Sequence, residues 1–280
     1  MKFTKMHGAG NDYIYIDASD QKNDWSELAV AMSDRHTGIG ADGLILALES
    51  KTSDIQMKMF NSDGSEGEMC GNGIRCLVGF AFEHGILSDH TSPVKVETRG
   101  GEREVIPTWK DGKVIGATVG MGEPNFEVAS IPVIAPGYEM LMNYPLEVDG
   151  YKFNINCVSM GNPHAVVFMD TPIDKIPLNQ IGPIVERHPM FPQRTNFEIA
   201  NVIDSSHIDL RVWERGSGIT MACGTGASAT AAIGRLQRLT GSEVDVSLPG
   251  GTLVVKWDGP GSGDLILEGP VQTVYEGEWP

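Results

Sequence analysis

Apolar positions along the chain fall into short runs whose spacing alternates between a period of two and one near 3.6, so strands and helices are both expected. Residues 13–17 form a strand-like run after His7-Gly8-Ala9-Gly10-Asn11. Those glycines precede the strand; a dinucleotide-binding turn needs them after a strand and opening a helix, so that reading is rejected. Residues 25–35 have helical spacing, with Leu28, Ala29 and Met32 on one face. A turn-rich loop over 38–43 leads to a strand over 44–48, and a second strand covers 55–60. A polar loop over 61–68 follows, and then residues 74–82 are apolar almost all round, the pattern of a helix buried on every side. A strand over 94–98 closes with Gly100-Gly101 and is followed by another over 102–106.

Residues 121–150, with Pro124, Pro132, Pro136 and Pro145, read as a connector. Beyond them the pattern repeats. Met160-Gly161-Asn162-Pro163-His164 leads into a strand over 165–169, as Asn11 led into the strand over 13–17. Glu186-Arg187-His188 echoes Asp34-Arg35-His36. The strand over 208–213 is followed by Glu214, with Cys223 nine residues later, and Asn61 stands nine residues before Cys70. An apolar helix over 227–239 and a strand over 244–248 closed by Gly250-Gly251 complete the second copy. Two copies are too few and too long for a solenoid. The expected fold is therefore α+β, two pseudo-symmetric lobes from an internal duplication. Residues 1–120 form the lobe carrying Cys70 and 121–262 the lobe carrying Cys223, with a tail over 263–280 returning to the first.

At 280 residues and 41% hydrophobic content, the chain can bury a core in each lobe. A formal charge of -16 argues against nucleic acid or an anionic membrane as partner, since both reward a basic surface. No apolar run is long enough to span a bilayer, and the first residues lack the apolar core of a signal peptide. The expectation is a cytoplasmic chain whose four cysteines, Cys70, Cys76, Cys157 and Cys223, are reduced. None of them shows the spacing of a zinc site, and the seven histidines are scattered, so no metal is expected.

The chemistry concentrates in two similar turns, Met69-Cys70-Gly71-Asn72-Gly73 and Ala222-Cys223-Gly224-Thr225-Gly226. A cysteine at a helix N-terminus has its thiolate stabilised by unpaired backbone N–H groups. The same donors suit a carboxylate, and the glycines let a ligand approach the backbone closely. Two such turns facing each other would grip one carboxylate with a sulfur on either side of its α-carbon. One thiolate then removes the α-proton and the opposite thiol delivers another, while helix-end donors stabilise the charge that builds on the carboxylate. Cys76, inside the apolar helix, and Cys157, beside a strand, read instead as small buried hydrophobes. A phosphate loop at Gly224-Thr225-Gly226 is weak because no lysine follows. A cysteine hydrolase with His164 as base would leave the second cysteine turn without a role.

Six motifs occur in a shared order. They are His7-Gly8-Ala9-Gly10-Asn11-Asp12, Phe60-Asn61-Ser62-Asp63-Gly64, Met69 to Cys76, Met160-Gly161-Asn162-Pro163-His164, Trp213-Glu214-Arg215-Gly216 and Ala222 to Gly226. Over nearly its whole length the chain resembles the diaminopimelate epimerases. That resemblance implies a cofactor-independent epimerase interconverting LL- and meso-diaminopimelate, a step serving lysine and peptidoglycan synthesis. It implies that each lobe is a β-barrel-like sheet around a central helix, and that the molecule is a homodimer, with Val274 and Tyr275 as interface candidates. It implies that Cys70 and Cys223 are the acid/base pair and that His164 and Glu214 assist. It places Asn11, Asn61, Gly71, Asn72, Asn162, Asn196, Glu214, Arg215, Gly224 and Thr225 on the substrate. An arginine and an acid suit the distal zwitterionic head of diaminopimelate. Two positions depart from the family pattern: Gly43 stands where several relatives carry glutamine, and Ile219 where many carry glutamate.

The alternatives on the same scaffold are a proline, hydroxyproline or histidine racemase, against which the Glu214-Arg215 pair speaks. A phenazine-biosynthesis-type isomerase shares the scaffold without the thiol pair. A non-catalytic amino-acid-binding module would bind ligand without isotope exchange.

Overall fold

The computed structural model describes residues 1–88 and 92–280. In chain order the first strands are β1 (Lys2–Gly8), β2 (Asn11–Asp17), β3 (Gly43–Leu48), β4 (Ile55–Asn61), β5 (Glu66–Gly67), β6 (Val94–Thr98), β7 (Gly101–Lys110) and β8 (Lys113–Gly120). They are followed by β9 (Tyr144–Val148), β10 (Tyr151–Ser159), β11 (Pro163–Phe168), β12 (Asn196–Asp204), β13 (His207–Glu214), β14 (Gly218–Ile219), β15 (Glu243–Leu248) and β16 (Gly251–Lys256). The last two are β17 (Ile266–Pro270) and β18 (Gln272–Glu278). Four α-helices are interspersed among the described residues: α1 (Trp25–Ser33), α2 (Gly71–Glu83), α3 (Leu178–Glu186) and α4 (Gly224–Leu236). The fold is α+β.

The chain divides into two compact units, Met1–Gly120 with Glu268–Pro280, and Met121–Leu267. The second unit runs through Leu267 rather than ending at 262. Leu265 and Leu267 are buried, and the Leu265 backbone exchanges both hydrogen bonds with Met121 and Gly122.

In the first unit the strands form the row β18-β1-β2-β3-β4-β6-β7-β8, with β5 pairing on β4. β2–β3 and β4–β6 are parallel and the others antiparallel. α2 packs on β1, β2, β3, β7 and β8. These strands lie towards both ends of the row, so the row curls round the helix. Residues on β2 and β3 divide between two faces. Tyr15 donates its hydroxyl to the Gly73 carbonyl of α2, while Ile14, Ile16, Leu44 and Leu46 belong to a core with Ala29 and Met32 of α1. Covering both faces explains why β3 reads as an unbroken apolar run.

The second unit repeats the pattern as β9-β10-β11-β12-β13-β15-β16, with β14 on β13 and parallel pairs at β11–β12 and β13–β15. α4 packs on β10, β11, β12, β13, β15 and β16. Its small residues, Gly224 to Gly234 with only Ile233 large, let the strands close around it. Residues 121–150 are more than a connector. They contribute β9 and bury Phe126, Ile131, Val133 and Leu141. The loop expected over 61–68 contains β5.

Local chemistry shifts several expected boundaries. α1 ends at Ser33, two residues early, because the Asp34 carboxylate collects the backbone N–H groups of His36 and Thr37, a turn that competes with the helix. α2 and α4 each begin three residues before the apolar run, because a cysteine caps them. α4 ends at Leu236, where Arg238 turns left-handed and the Leu239 N–H returns to the Gly234 carbonyl.

On the outer face of the second unit, α3 lies so close to β13 that a Cβ at Gly182 would come within 2.5 Å of the Trp213 ring. Gly182→Ala gains helix propensity of about 1 kcal/mol, but overpacking against a rigid indole costs about 1–3 kcal/mol. The expected outcome is a lower urea midpoint with unchanged m-value; an unchanged or higher midpoint would refute this packing.

Candidate active site

Both cysteine turns are helix N-caps. Cys70 and Cys223 have extended backbone, and each sulfur accepts the N–H of the third helical residue: Gly73 to Cys70 at 3.4 Å, Gly226 to Cys223 at 3.3 Å. The helices behind them are buried nearly all round, so first-turn donors that are not capped internally depend on a ligand or water at the helix mouth.

In the first unit the Cys70 thiol donates to Asn11 Oδ1 at 3.3 Å, and Asn72 Nδ2 donates to the same oxygen at 3.3 Å. Asn11 in turn donates its Nδ2 to Asp42 Oδ2 at 2.7 Å. Asp42 also receives the Asp12 N–H and a guanidinium hydrogen of Arg35. Arg35 and Lys5 both pair with Asp12 at 2.7 Å. Burial opposes ionisation of Asp12, yet hydrogen bonds from Arg35 and Lys5 outweigh it and hold that carboxyl below its usual range. Burial, then the neighbouring Asp12 charge, pushes Asp42 up. Beneath the turn lies a fully buried Arg75, donating to the Gly71 carbonyl and, at 2.7 Å, to Asn72 Oδ1. Asn61 ends β4 in an exposed position, with its amide on Ser65.

In the second unit Cys223 contacts Thr225 Oγ1 at 3.5 Å. Asn162 donates its Nδ2 to the same Thr225 oxygen at 3.3 Å, and its Oδ1 lies 2.9 Å from His164 Nε2. The other ring nitrogen, Nδ1, is 2.7 Å from Glu198 Oε1, and both side chains are fully buried. The Glu214 carboxyl accepts from Thr220 and interacts with the Cys223 thiol. Burial pushes Cys223 well above the ordinary thiol range, and the Glu214 and Glu198 carboxyls push the same way, while Thr225 and the Gly226 N–H oppose them. Burial likewise raises Glu198 and Glu214.

The turn after β13 is held from behind. Glu186 accepts from the Trp213 indole at 2.8 Å and from the Gly216 N–H at 3.1 Å. Asn196 donates to the Pro163 carbonyl and accepts the Arg215 N–H, so both ends of its amide bind backbone. The exposed Arg215 guanidinium reaches the Gln193 carbonyl. At Gly43 a Cβ would stand 2.2 Å from the Phe60 carbonyl oxygen, so no side chain fits without moving β4. Ile219 is exposed on β14.

The structure therefore groups Cys70, Gly71, Asn72 and Asn11 in one unit, and Cys223, Gly224, Thr225, Asn162, His164 and Glu214 in the other. It adds Glu198, Asp42, Arg75 and Glu186, which sequence reading missed. Signals existed: Glu198 stands two residues after Asn196, between the apolar Phe197 and Ile199, so both face one side, and Arg75 interrupts an apolar helix. No cluster of metal-ligating side chains is found among the described residues, nor any helix long and apolar enough to cross a membrane.

The sequence model of a family described as "Diaminopimelate epimerase" matches residues 3–127 and 156–274. A diaminopimelate epimerase of Desulfovibrio desulfuricans is 47% identical over 285 aligned positions, covering 100% of this chain and 98% of its own. One from Methanococcus maripaludis is 44% identical, covering 99% of each chain. Among solved structures, a probable proline racemase from Agrobacterium radiobacter superposes with a TM-score of 0.71 at 15% identity, covering 100% of this chain and 92% of its own. A phenazine biosynthesis protein of Bacillus anthracis gives 0.71 at 17% identity, covering 100% and 99%. At those identities the structures speak for the fold alone.

Cys76 and Cys157 lie wholly inside the protein, where burial pushes their thiols up from 9.0 to about 11 and about 12. Because the folded values are raised, their stabilisation is complete below the unfolded value and is lost as pH rises through the window from 9 towards the folded value. Each group contributes a slope of about 1.4 kcal/mol per pH unit within its window. The urea midpoint is expected to fall between pH 9 and 11, and less steeply in Cys157→Ala. Equal slopes in the variant and the parent would show that Cys157 ionises in the folded state.

Proposed function

The chain belongs to the diaminopimelate epimerase family and is an isomerase, and we propose that it interconverts LL- and meso-diaminopimelate by passing the α-proton through two cysteines. The observation that carries this reading is the repeated turn: at equivalent positions of a duplicated unit, a cysteine sulfur caps a buried helix and takes the N–H of its third residue. One cysteine acts as thiolate and removes the α-proton; the other, as thiol, protonates the opposite face. The roles exchange with reaction direction, and the pair titrates as a unit.

An α-proton beside a carboxylate is a weak acid, because its removal places a second negative charge on that group. The first N–H groups of α2 and α4, at Gly71-Asn72 and Gly224-Thr225, have no partner within their own helix and are the fixed donors for it, aided by each helix dipole. No electron sink beyond these donors is required. Glu214, next to Cys223 and pinned by Thr220, suits an ammonium, and Arg215 suits the distal carboxylate. Asn11, Asn61, Asn162 and Asn196 orient the two amino-acid heads, directly or by holding the turns that do. His164 supports Asn162. In this reading the enzyme is a cytoplasmic homodimer that serves lysine and peptidoglycan synthesis.

The test is isotope uptake in deuterated water without added cofactor, using LL-diaminopimelate, L-proline, L-histidine and L-glutamate separately. Deuterium is expected at Cα, with inversion, for diaminopimelate only. Exchange with proline instead would reassign the substrate, and exchange with none would sink the two-thiol mechanism. Cys70→Ala and Cys223→Ala are each expected to reduce epimerisation by about 10²–10⁴-fold, the contribution of an essential acid or base.

A further inference from the structure

Asn11 and Asn162 occupy matching places. Each stands two residues before the β2 or β11 residue that pairs with the first residue of the next parallel strand: Tyr13 with Gly43, His164 with Asn196. Yet they present opposite ends to their cysteine turns. Asn11 offers its carbonyl oxygen to Cys70 and Asn72, whereas Asn162 offers its amino group to Thr225. The difference follows from the second partner. Asp42 uses both carboxylate oxygens as acceptors, for Arg35 and the Asp12 N–H as well, so Asn11 must give it an N–H. Asn162 places its oxygen 2.9 Å from His164 Nε2, an arrangement that needs a hydrogen on that nitrogen.

Among the described residues, the first unit has nothing comparable to the group that fixes this histidine. A Cβ at Gly73 would meet Ile45, and one at the matching Gly226 would meet Glu198 Oε1 at 3.0 Å. Ile45 and Glu198 thus occupy the same place beneath the two caps. Tyr13 stands where His164 does. Glu198 is fully buried; its second oxygen has no hydrogen-bond partner among the described residues, and its carboxyl takes His164 Nδ1 at 2.7 Å and the Ala165 backbone N–H. As carboxylate it demands Nδ1–H and, with Nε2 also protonated, an imidazolium. As carboxylic acid it donates to Nδ1 and leaves the hydrogen on Nε2. A carboxylate beside a neutral ring would leave Nε2 bare, and that state does not fit the Asn162 oxygen 2.9 Å from it.

We propose that Glu198 is a positioning residue: by holding His164 in a form that donates from Nε2, it turns the Asn162 amino group onto Thr225 and leaves the Thr225 hydroxyl hydrogen for Cys223. Thr225 Oγ1 accepts from Asn162, so its own hydrogen is free for the sulfur 3.5 Å away. Cys223 then has two donors, Thr225 O–H and Gly226 N–H, when it becomes a thiolate. Cys70 instead faces an acceptor, Asn11 Oδ1, that favours its S–H form. The two caps are alike in backbone and opposite in side-chain polarity. The effect on turnover rests on the two-thiol reading above; the effect on His164 does not.

The first measurement is therefore made without substrate. In protein labelled with ¹⁵N-histidine, the His164 ring is assigned by the signals lost in His164→Gln. A hydrogen on Nε2 is expected both in the parent and in Glu198→Gln, whose amide donates to Nδ1. A bare Nε2 in either protein would overturn the proposal. In turnover, Glu198→Gln is expected to keep kcat within about threefold and Glu198→Leu to lose about tenfold or more in kcat with less change in KM, the scale of an outer-shell contact. Equal losses in the two variants would also overturn it. If Glu198→Leu does not fold, the spectra of the parent and Glu198→Gln decide. If neither folded protein epimerises diaminopimelate while Nε2 keeps its hydrogen, the substrate assignment fails and the positioning role stands.

Discussion

Each unit depends on closing the N-terminus of a helix that its sheet wraps on nearly all sides. Backbone N–H groups there cannot be left dry without a cost of about 1–3 kcal/mol apiece. A cysteine sulfur takes one of them in each unit, and the ordinary capping oxygen of serine or aspartate is replaced by a larger, softer acceptor. That choice makes poor sense for stability alone, because sulfur is a weak acceptor. The glycines that follow serve the same constraint: a Cβ would stand 2.5 Å from Ile45 Cδ1 at Gly73 and 3.0 Å from Glu198 Oε1 at Gly226, so their absence lets the caps sit close over the strands.

The duplication preserves backbone and changes charge. Strand order, the parallel pairs and the nine-residue step to the cysteine recur in both units. Inside that frame, Arg75 donates to the first carbonyl of α2, and Ser228 makes the corresponding bond to Gly224 in α4. A buried cation thus underlies one cap, while Glu198 and Glu214 flank the other. Two sulfurs with the same local geometry are given unlike electrostatic surroundings. The raised carboxyls and the raised Cys223 thiol are the cost of keeping those groups out of water.

Much of this was legible in the chain. Alternation located β2, β4 and β13, and all-round apolarity marked α2 and α4 as buried. The recurrence of Cys-Gly turns after equal spacings exposed the duplication and singled out Cys70 and Cys223. Boundaries were less legible where side chains compete with backbone, as Asp34 does at the end of α1. Residues 121–150 looked like a linker because prolines punctuate them, although their apolar residues pack into the second core. Asn196 could be named from its motif, but its engagement with the backbone of Pro163 and Arg215 could not.

By itself the sequence determined what is local: period, turn chemistry, helix caps and the residue types available for acid and base work. These depend on neighbours a few positions apart. The partners of those residues were decided only by tertiary structure. Glu198 reaches His164 across 34 positions, Asp42 reaches Asn11 across 31, and Glu186 supports Trp213 across 27. Such contacts depend on which elements lie side by side and in what register; a shift of one residue in β12 would turn Glu198 to the other face of the sheet, away from His164. The two cysteine caps are thus written in the chain, and the difference between them is made by the fold.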